Sequence, residues 1–336
     1  MGRIEMINAV SVTNHSGETL RCVLGSPEFS GFSITNMTGI VPGKSEIGIK
    51  ELATLDGGIF QNAKIQARNI VIDYVFHDYW VENAPGYPEH YRSIEEARRE
   101  FYRYYVIKKS MVLTIETDLH TYRIDGYVES NEPEIFSDGE GASVSIMCPD
   151  PYFRLADEGI DENGNLSVTV FNKVGGFEFP WSNPRFEKTL VFGELDEARE
   201  PQKTDLHYDG DVDTGVIFHV FVTGAYVGNY INFNYYGNDL GALITTVRFS
   251  NIRFTALDNG LQVGDELIIS TIPGKKYAIV KRGTDTINVF ACMDILPDWI
   301  KLQKGTNWLE VAPGTIAPNI PNVYITIEYP ILFAGV

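Results

Sequence analysis

The stretch Met111-Val112-Leu113-Thr114-Ile115-Glu116-Thr117 alternates apolar and polar residues along its length. After Asp118-Leu119, the segment Tyr122-Arg123-Ile124-Asp125 alternates again. A period of two is typical of a strand with one buried face. Two such segments joined by a short turn predict an antiparallel hairpin, so the chain is expected to be mainly β.

Further segments continue this pattern in both directions. Ile65-Gln66-Ala67-Arg68 alternates, and Ile70-Val71-Ile72 is apolar on both faces, which predicts a strand entering a core covered from both sides. Val144-Ser145-Ile146 precedes Cys148-Pro149-Asp150-Pro151, whose prolines end the strand. Later strands are predicted at residues 216–222, 266–269 and 323–327. Turn signals recur every ~8–12 residues there, which indicates an antiparallel sandwich.

One short helix is predicted at about residues 93–105. Ser93 is followed three residues later by Glu96, which is a capping box. Four apolar residues then share one helical face: Ile94, Ala97, Phe101 and Tyr104.

The chain of 336 residues is long enough for about two domains. We place the boundary after residue 155, because residues 155–166 are acidic and rich in turn residues. The domains are then 1–155 and 156–336, and two β-sandwich-like folds are expected. Residues 26–58 are rich in Gly, Ser and Thr, which predicts a long hairpin or arm outside the core.

Composition limits the classes of function. Lys and Arg total 27 against 45 Asp and Glu, a formal net charge of -18. Such a chain is disfavoured for binding to nucleic acid or to an anionic membrane, since phosphate binding needs a basic surface. The N-terminus lacks a signal-peptide pattern, and no apolar run approaches the ~20 residues of a membrane span. Cys22, Cys148 and Cys292 are far apart, and buried, reduced thiols are expected.

Two short motifs resemble ligand loops but lack essential residues. Gly43-Lys44-Ser45 would need a glycine at position 38, which is Thr38, and no helix pattern follows. Asp209-Gly210-Asp211-Val212-Asp213 has the opening of a calcium loop, with Thr214 where glycine belongs and Val220 where glutamate belongs. The favoured interpretations are a Pro-Gly turn and an acidic turn that enters a strand.

No catalytic, cofactor-binding or metal-binding residue is assigned from the sequence. The histidines show no metal-ligand spacing, although a metal site built from distant residues stays open; they are His15, His77, His90, His120, His207 and His219. Glu132 with Glu134, and Asp138 with Glu140, are interpreted as solvated acidic loops.

Aromatic residues are numerous, with 19 Phe, 18 Tyr and 4 Trp. Tyr79-Trp80 and the end of the predicted helix carry several of them, including Tyr102, Tyr104 and Tyr105. Core packing is the favoured role. A subunit interface or a sugar-binding platform stays an alternative, because aromatic side chains dominate both.

An ordered set of phrases resembles the siphophage distal tail family. The set spans nearly the whole chain: Tyr105-Val106-Ile107-Lys108-Lys109-Ser110, Tyr122-Arg123-Ile124-Asp125-Gly126-Tyr127-Val128, Cys148-Pro149-Asp150-Pro151-Tyr152-Phe153, Gly176-Phe177-Glu178-Phe179-Pro180, Gly210-Asp211-Val212-Asp213-Thr214-Gly215, Leu261-Gln262-Val263-Gly264-Asp265, Thr271-Ile272-Pro273-Gly274-Lys275-Lys276 and Gly305-Thr306-Asn307.

This resemblance implies a structural protein without catalytic residues or cofactors. The N-terminal domain would form a hexameric ring on the last ring of the tail tube. The C-terminal domain would be a peripheral sandwich, galectin-like or similar to a carbohydrate module. The ring would join the tail tube to a tail-associated lysin or fibre and to receptor-binding proteins. Its place would be the tail tip of a phage or prophage particle, after a stage in the host cytoplasm.

Two other functions are weighed against this structural role. The first is a carbohydrate-binding adhesin of the tail tip that recognises host cell-wall sugars through Trp or Tyr faces. The second is an enzyme, which would need a cleft with mutually hydrogen-bonded titratable residues. The sequence offers no candidate for such a cleft.

Overall fold

The computed structural model describes residues 7–26, 30–52, 56–77, 93–134, 139–157, 160–161, 164–172, 177–178, 191–192, 203–224, 228–238, 242–313 and 323–336. The chain divides into two compact units. The first unit comprises Met1–Gly164 together with Leu332–Val336, and the second comprises Asn165–Ile331. Residues 156–164, which follow the predicted boundary, therefore belong to the first unit.

The first unit is built on one antiparallel sheet with the strand order β2-β1-β7-β8-β9-β6-β3. Strand β10 pairs with β8 and β24, while β4 and β5 form a separate two-stranded sheet. The elements are β1 (Ile7–Thr13), β2 (Thr19–Val23), β3 (Phe32–Thr38), β4 (Ser45–Glu51), β5 (Gly58–Ile65), β6 (Arg68–Phe76), α1 (Ile94–Tyr104), β7 (Ser110–Thr117), β8 (Thr121–Glu134), β9 (Gly141–Cys148), β10 (Phe153–Leu155) and β24 (Leu332–Phe333).

The predicted hairpin lies near the centre of this sheet. Strands β7 and β8 are antiparallel, with Leu113 opposite Ile124 and Ile115 opposite Tyr122. Leu113, Ile115 and Ile124 are buried, so one face of the hairpin lines the core. The prediction from alternation is confirmed.

Helix α1 covers this core. It spans Ile94–Tyr104, and the Ser93 Oγ accepts a hydrogen bond from the Glu96 N–H at 3.3 Å, as the capping box predicts. The ring of Phe101 is fully buried, and its centroid lies 5.0–5.2 Å from those of three aromatic rings. These rings belong to Phe32, Tyr74 and Phe76.

Two details of the prediction for this unit are wrong. The strand expected through residues 65–72 is broken, because β5 ends at Ile65 and β6 begins at Arg68. In β6 buried residues alternate with exposed or partly exposed ones, so only one face lines the core. The arm expected over residues 26–58 includes β3, which pairs with β6 in the main sheet and buries Phe32.

The second unit contains two larger antiparallel sheets and one two-stranded sheet. Their orders are β11-β23-β15-β18-β19-β20, β14-β22-β16-β17-β21 and β12-β13. The elements are β11 (Asn165–Asn172), β12 (Phe177–Glu178), β13 (Val191–Phe192), β14 (Lys203–Tyr208), β15 (Ile217–Val222), β16 (Tyr230–Gly237), β17 (Thr245–Ser250), α2 (Asn251–Asp258), β18 (Glu266–Ser270), β19 (Tyr277–Arg282), β20 (Asp285–Asn288), β21 (Met293–Leu296), β22 (Gly305–Pro313) and β23 (Val323–Pro330). A 3-10 turn covers Phe290–Cys292.

The two larger sheets share an aromatic and aliphatic core. The Phe218 ring on β15 lies 4.4 Å from the Phe233 ring on β16, measured between centroids, and both are fully buried. Tyr208 on β14 and Tyr329 on β23 make a second contact of this kind at 6.1 Å. The mainly β class and the sandwich are confirmed, as are the strands predicted at residues 216–222, 266–269 and 323–327.

A second helix, α2, was not predicted. The Ser250 Oγ caps it by accepting from the Arg253 N–H at 3.4 Å, and Asn259 ends it in the left-handed conformation with φ 57°. Only Phe254 is buried, while Ile252 and Leu257 are 47% and 67% exposed. The apolar residues thus do not form one stripe, which removes the signal that identified α1. Within the described residues, no helix is long and apolar enough to cross a membrane.

Candidate interaction surface

Strands β4 and β5 form an exposed ribbon outside the main sheet. They pair from Ser45 opposite Ile65 to Glu51 opposite Gly58, and every residue of β5 is exposed. A two-stranded hairpin alone is only marginally stable in water. An exposed ribbon of this kind would therefore be stabilised by packing against another surface.

One face of this ribbon is apolar. Ile49 lies opposite Phe60, and Ile47 lies opposite Ala63. Residues directly opposite one another in an antiparallel pair share a face. Ile47, Ile49 and Phe60 are 55%, 61% and 63% exposed. Contiguous apolar surface of this kind on a soluble protein marks an interaction site.

The opposite face of the ribbon is mostly polar. There the Lys64 Nζ lies 3.1 Å from the Glu46 carboxylate, and the hydrogen bond from this ammonium lowers the pKa of Glu46. Ile59 lies opposite Lys50 on this face and is 55% exposed. The hairpin is therefore amphipathic. Sequence alternation alone did not show which residues share a face, because a bulge interrupts the register between Gly48 and Ile49.

Arg68 holds the base of the hairpin through backbone carbonyls. Its Nη1 donates to Gly39 O at 2.6 Å and to Val41 O at 2.7 Å, and its Nε donates to Pro151 O at 2.7 Å. Its Nη2 donates to Ala334 O at 2.5 Å. The guanidinium carbon also lies 4.8 Å from the centre of the Phe153 ring. One buried side chain thus joins the start of β6 to three other segments of the first unit, at residues 39–41, Pro151 and Ala334.

The C-terminal segment completes this arrangement. The Val336 N–H donates to Ile40 O at 3.0 Å, and Phe333 on β24 pairs with Phe153 on β10. Gly39 turns the chain here with φ +83°, and a Cβ at this position would lie 2.0 Å from Asn69 O. Only glycine fits this close approach at no steric cost. The start of the hairpin is therefore fixed by the sheet and by residues 334–336.

A cavity of about 310 Å³ lies beside this junction. It is lined by Gly39, Val41, Pro42, Gly43, Lys44, Gln66, Ala67, Arg68, Asn69 and Pro151. Four of the five Arg68 N–H groups are bonded to backbone carbonyls, so this side chain mainly holds the base of the hairpin together.

The comparisons with known proteins bear on the fold. No family model and no curated protein matches the chain. A solved structure, the SPP1 Dit (gp 19.1) protein, is described as a paradigm of the hub adsorption apparatus in phages that infect Gram-positive bacteria. It matches with a TM-score of 0.57 and 12% identity, over 96% of this chain and 99% of that one. The fold is similar to that of SPP1 Dit.

Two structures of the phage p2 baseplate in its activated conformation also match at 14% identity. The structure with Sr has a TM-score of 0.41 over 95% of this chain and 97% of the other. The structure with Ca has a TM-score of 0.42 over 96% and 98%.

In this Dit-like fold the cysteines are buried, as the sequence predicted. Cys22, Cys148 and Cys292 are all free thiols. Burial raises the pKa of Cys22 to about 11 and that of Cys148 to about 12. Both thiols therefore stay protonated and unreactive at neutral pH.

The motifs that resemble ligand loops lie apart from the hairpin or at its edge. The Gly43-Lys44-Ser45 segment leads into β4 rather than into a helix. The Asp209–Asp213 turn precedes β15, and the Lys304 Nζ lies 3.1 Å from the Asp211 carboxylate. In the part of the chain that the structure describes, no group of three or more His, Cys, Asp or Glu residues could hold a metal ion.

The described histidines are dispersed over the fold. His77 lies 2.7 Å from the Ser33 hydroxyl, His120 lies 2.7 Å from Asp157, and His219 lies 2.8 Å from Glu266. His207 lies 3.0 Å from Asp209, while His15 contacts Ser16. His90 lies outside the described residues, as do Asp138 and the Tyr79-Trp80 pair.

The tyrosines at the end of α1 have different environments. Tyr105 is buried and its hydroxyl bonds to that of Tyr74, whereas Tyr102 is 38% exposed. Burial raises the pKa of Tyr105 well above its usual value. Of the aromatic residues predicted at the end of the helix, Tyr105 is therefore part of the hydrophobic core. Ile47 and Ile49 of the apolar face lie within the predicted arm of residues 26–58, whereas Phe60 and Ala63 lie beyond its predicted end and were missed.

Proposed function

We propose that this chain is a structural distal tail protein that assembles into a ring at the tail tip of a long-tailed phage or prophage particle. The ring is hexameric and joins the tail tube to a tail-associated lysin or fibre and to receptor-binding proteins. The protein has no catalytic role of its own. The observation that carries this proposal is the likeness to SPP1 Dit over nearly the full length of both chains.

The β4–β5 hairpin supports ring assembly by a physical argument. A closed ring needs a heterologous interface, in which two different patches of each subunit meet. A ribbon with an exposed apolar face can supply one of these patches. Its occupant in this proposal is a neighbouring copy of the same chain, and Arg68 sets the direction in which the ribbon leaves the sheet.

The charge of the chain is compatible with a ring through which DNA passes. A formal charge of -18 per subunit repels phosphate, so DNA would not adhere to the walls of a channel. The same charge disfavours binding to a specific nucleic acid sequence.

Light scattering and electron microscopy of the purified chain test the proposal directly. The expected result is a ring of six copies. The chain should also bind tail tube protein when the two are mixed. A folded chain that stays monomeric at every concentration and does not incorporate into assembling tails would contradict the proposal.

The hairpin's role is tested by Phe60→Lys. This change places a charge on the apolar face, and burying an unpaired charge costs several kcal/mol, so the ring should dissociate. Since Phe60 contributes little to the monomer core, the melting temperature should stay within a few degrees. Light scattering and circular dichroism measure the two effects.

Ile59→Lys is the matched control for this variant. Ile59 is a neighbouring residue of similar exposure on the polar face of the same ribbon. The Ile59 variant should keep the ring. If both variants assemble normally, or both dissociate, the apolar face does not form the interface.

A further inference from the structure

The outer face of the five-stranded sheet in the second unit carries an ordered group of polar and aromatic side chains. The inward residues of these strands, such as Phe233, Val247 and Leu309, are fully buried in the sandwich core. The outward residues alternate with them and are mostly only partly exposed. Six of these outward residues carry the argument: Asn232, Asn234, Tyr236, Arg248, Trp308 and Glu310.

Hydrogen bonds fix this group across three neighbouring strands. The Asn234 Nδ2 and the Tyr236 hydroxyl both donate to the Glu310 Oε2, at 2.8 Å and 2.6 Å. The Thr246 hydroxyl donates to the Asn234 Oδ1 at 2.8 Å, so both ends of this amide are used. The orientation of Asn234 and Glu310 is therefore set before any ligand arrives.

A second branch of the group lies next to the first. The Arg248 Nε donates to the Asn232 Oδ1 at 2.8 Å, and its guanidinium carbon lies 5.3 Å from the centre of the Tyr230 ring. Stacking and the hydrogen bond together hold the plane of the guanidinium. On the far side, the Lys203 Nζ lies 3.9 Å from the centre of the Tyr236 ring.

Among the described residues, both branches leave hydrogen-bonding capacity unused. Glu310 makes its side-chain bonds within the described residues through Oε2, which leaves Oε1 as an acceptor. Asn232 uses its oxygen for Arg248, which leaves its Nδ2 as a donor. A fixed carboxylate oxygen and a fixed amide N–H on adjacent strands can bind two neighbouring hydroxyl groups.

Trp308 adds an aromatic surface beside these groups. It lies two residues before Glu310 on β22, on the same face of the sheet, and opposite Gly237, which has no side chain. Its indole is partly exposed. Aromatic rings with one exposed face pack against the CH groups of a sugar ring while polar neighbours bind its hydroxyls.

The charge on this face indicates the kind of ligand. Lys203 and Arg248 carry positive charge, against Asp205, Asp294 and Glu310 with negative charge, so the face is close to neutral although the chain is strongly acidic. Nucleic acid or another polyanion would meet no excess of cations here. An apolar protein partner would have to cover a hydrogen-bonded polar network, which is costly to desolvate.

We propose that this face is a binding site for an uncharged oligosaccharide. Glu310 Oε1 and Asn232 Nδ2 bind neighbouring hydroxyl groups of one sugar, Arg248 contributes the N–H groups of Nη1 and Nη2, and Trp308 stacks on the sugar ring. The site lies within one copy of the chain, so it does not rest on the proposed ring.

The test uses the full chain on an array of uncharged oligosaccharides built from hexoses and N-acetylhexosamines. Hits are then titrated in solution by calorimetry and tryptophan fluorescence. Glu310→Gln keeps the size and the internal hydrogen bonds of the side chain but removes the charge of Oε1. We expect it to weaken binding about tenfold or more, which corresponds to about 1.4 kcal/mol.

Glu328→Gln is the matched control. Glu328 lies on the outer face of the other large sheet of the same unit, so the same chemical change there should leave the affinity unchanged. Phe60→Lys, which tests the ring, should also bind the oligosaccharide normally, so the two proposals can fail separately.

Three outcomes would overturn the proposal. In the first, no uncharged oligosaccharide binds the chain with a dissociation constant of about 1 mM or tighter. In the second, the chain binds acidic glycans on the array and no uncharged ones. In the third, the Glu310→Gln and Glu328→Gln variants bind the oligosaccharide equally well. A protein that protects this face from cross-linking while no sugar binds would assign the face to a protein partner instead.

Discussion

The Arg68 guanidinium is buried, and no carboxylate of the described residues pairs with it. Four carbonyl oxygens accept its hydrogen bonds instead of a carboxylate: those of Gly39, Val41, Pro151 and Ala334. Carbonyls have fixed positions on the backbone, so the side chain fixes chain segments rather than other side chains. Burial lowers the pKa of this guanidinium, which nevertheless stays charged at neutral pH.

Replacement of this residue gives a prediction at the residue scale. Arg68→Met removes every donor and leaves buried carbonyls without partners, each of which costs free energy. We expect the free energy of unfolding of the first unit to fall by about 3 kcal/mol. Denaturant unfolding followed by circular dichroism measures this change.

Arg21→Met is the control for this prediction. Arg21 makes a two-point contact with Glu116 at 2.6 Å and 2.9 Å, but its side chain is 52% exposed. Exposed pairs contribute little, so the expected loss is below about 1 kcal/mol. Equal losses in the two variants would mean that the carbonyl contacts of Arg68 contribute no more than a surface ion pair.

Sequence alternation could not have found the role of Arg68. The pattern through residues 65–72 places Arg68 within a continuous strand, whereas in the structure β5 ends at Ile65 and Arg68 begins a different strand, β6. The groups that bind the guanidinium are backbone oxygens from distant positions. Every residue has such an oxygen, so the sequence does not indicate which of them will accept a hydrogen bond. In contrast, Ser93 was identified correctly because its partner, Glu96, lies three residues away.

At the scale of elements, local signals succeeded where one element has one clear period. Strands β7 and β8 and helix α1 follow from residues 111–125 and 93–105 because each has a single apolar face. Helix α2 has no such face, and the short strand β10 has only three residues. Both depend on packing and pairing with distant segments, which a local pattern does not contain.

The arm illustrates the same limit and gives a prediction for an element. Deletion of residues 30–58, as the predicted arm would suggest, removes β3 with the buried Phe32 and should unfold the first unit. Replacement of residues 45–65 alone by a two-residue turn should leave it folded, since Ser45 and Ile65 are paired and their neighbours lie close together.

The melting temperature of each deletion checks this expectation. The shorter deletion should change it by no more than a few degrees, because the exposed ribbon buries little surface in the monomer. It should also abolish the ring. A shorter deletion that unfolds the chain would show that the ribbon is part of the core.

At the scale of the whole molecule, the second unit is an insertion between two strands of the first. The chain leaves the first unit after β10, forms the second unit with residues 165–331, and returns to the first unit at β24. Strands β10 and β24 pair with each other. Asn165 lies opposite Pro330 where the second unit begins and ends. The sequence predicted two domains from length and composition, but nothing in a linear pattern indicates that the last residues return.

This topology predicts that the two units fold separately. Residues 165–331 should fold alone, since each of the two larger sheets is built from their own strands. The first unit should fold when a short Gly-Ser linker replaces them, because the paired strand ends can be bridged by a few residues. Separate cooperative unfolding transitions in calorimetry are expected. Loss of structure in the first unit after this replacement would contradict the prediction.

The double connection also affects how the chain responds to damage. A cut in the second crossing, after residue 331, leaves the covalent link at residues 164–165 intact. A cut in the first crossing leaves residues 165–336 held to the first unit only by the pairing of β24 with β10 and by the backbone contacts of residues 334–336. A molecule nicked at the first crossing therefore keeps its two units together only as long as residues 332–336 stay in place. The short C-terminal strand thus acts as a non-covalent clasp, and its few backbone contacts determine what a single cleavage does to the molecule.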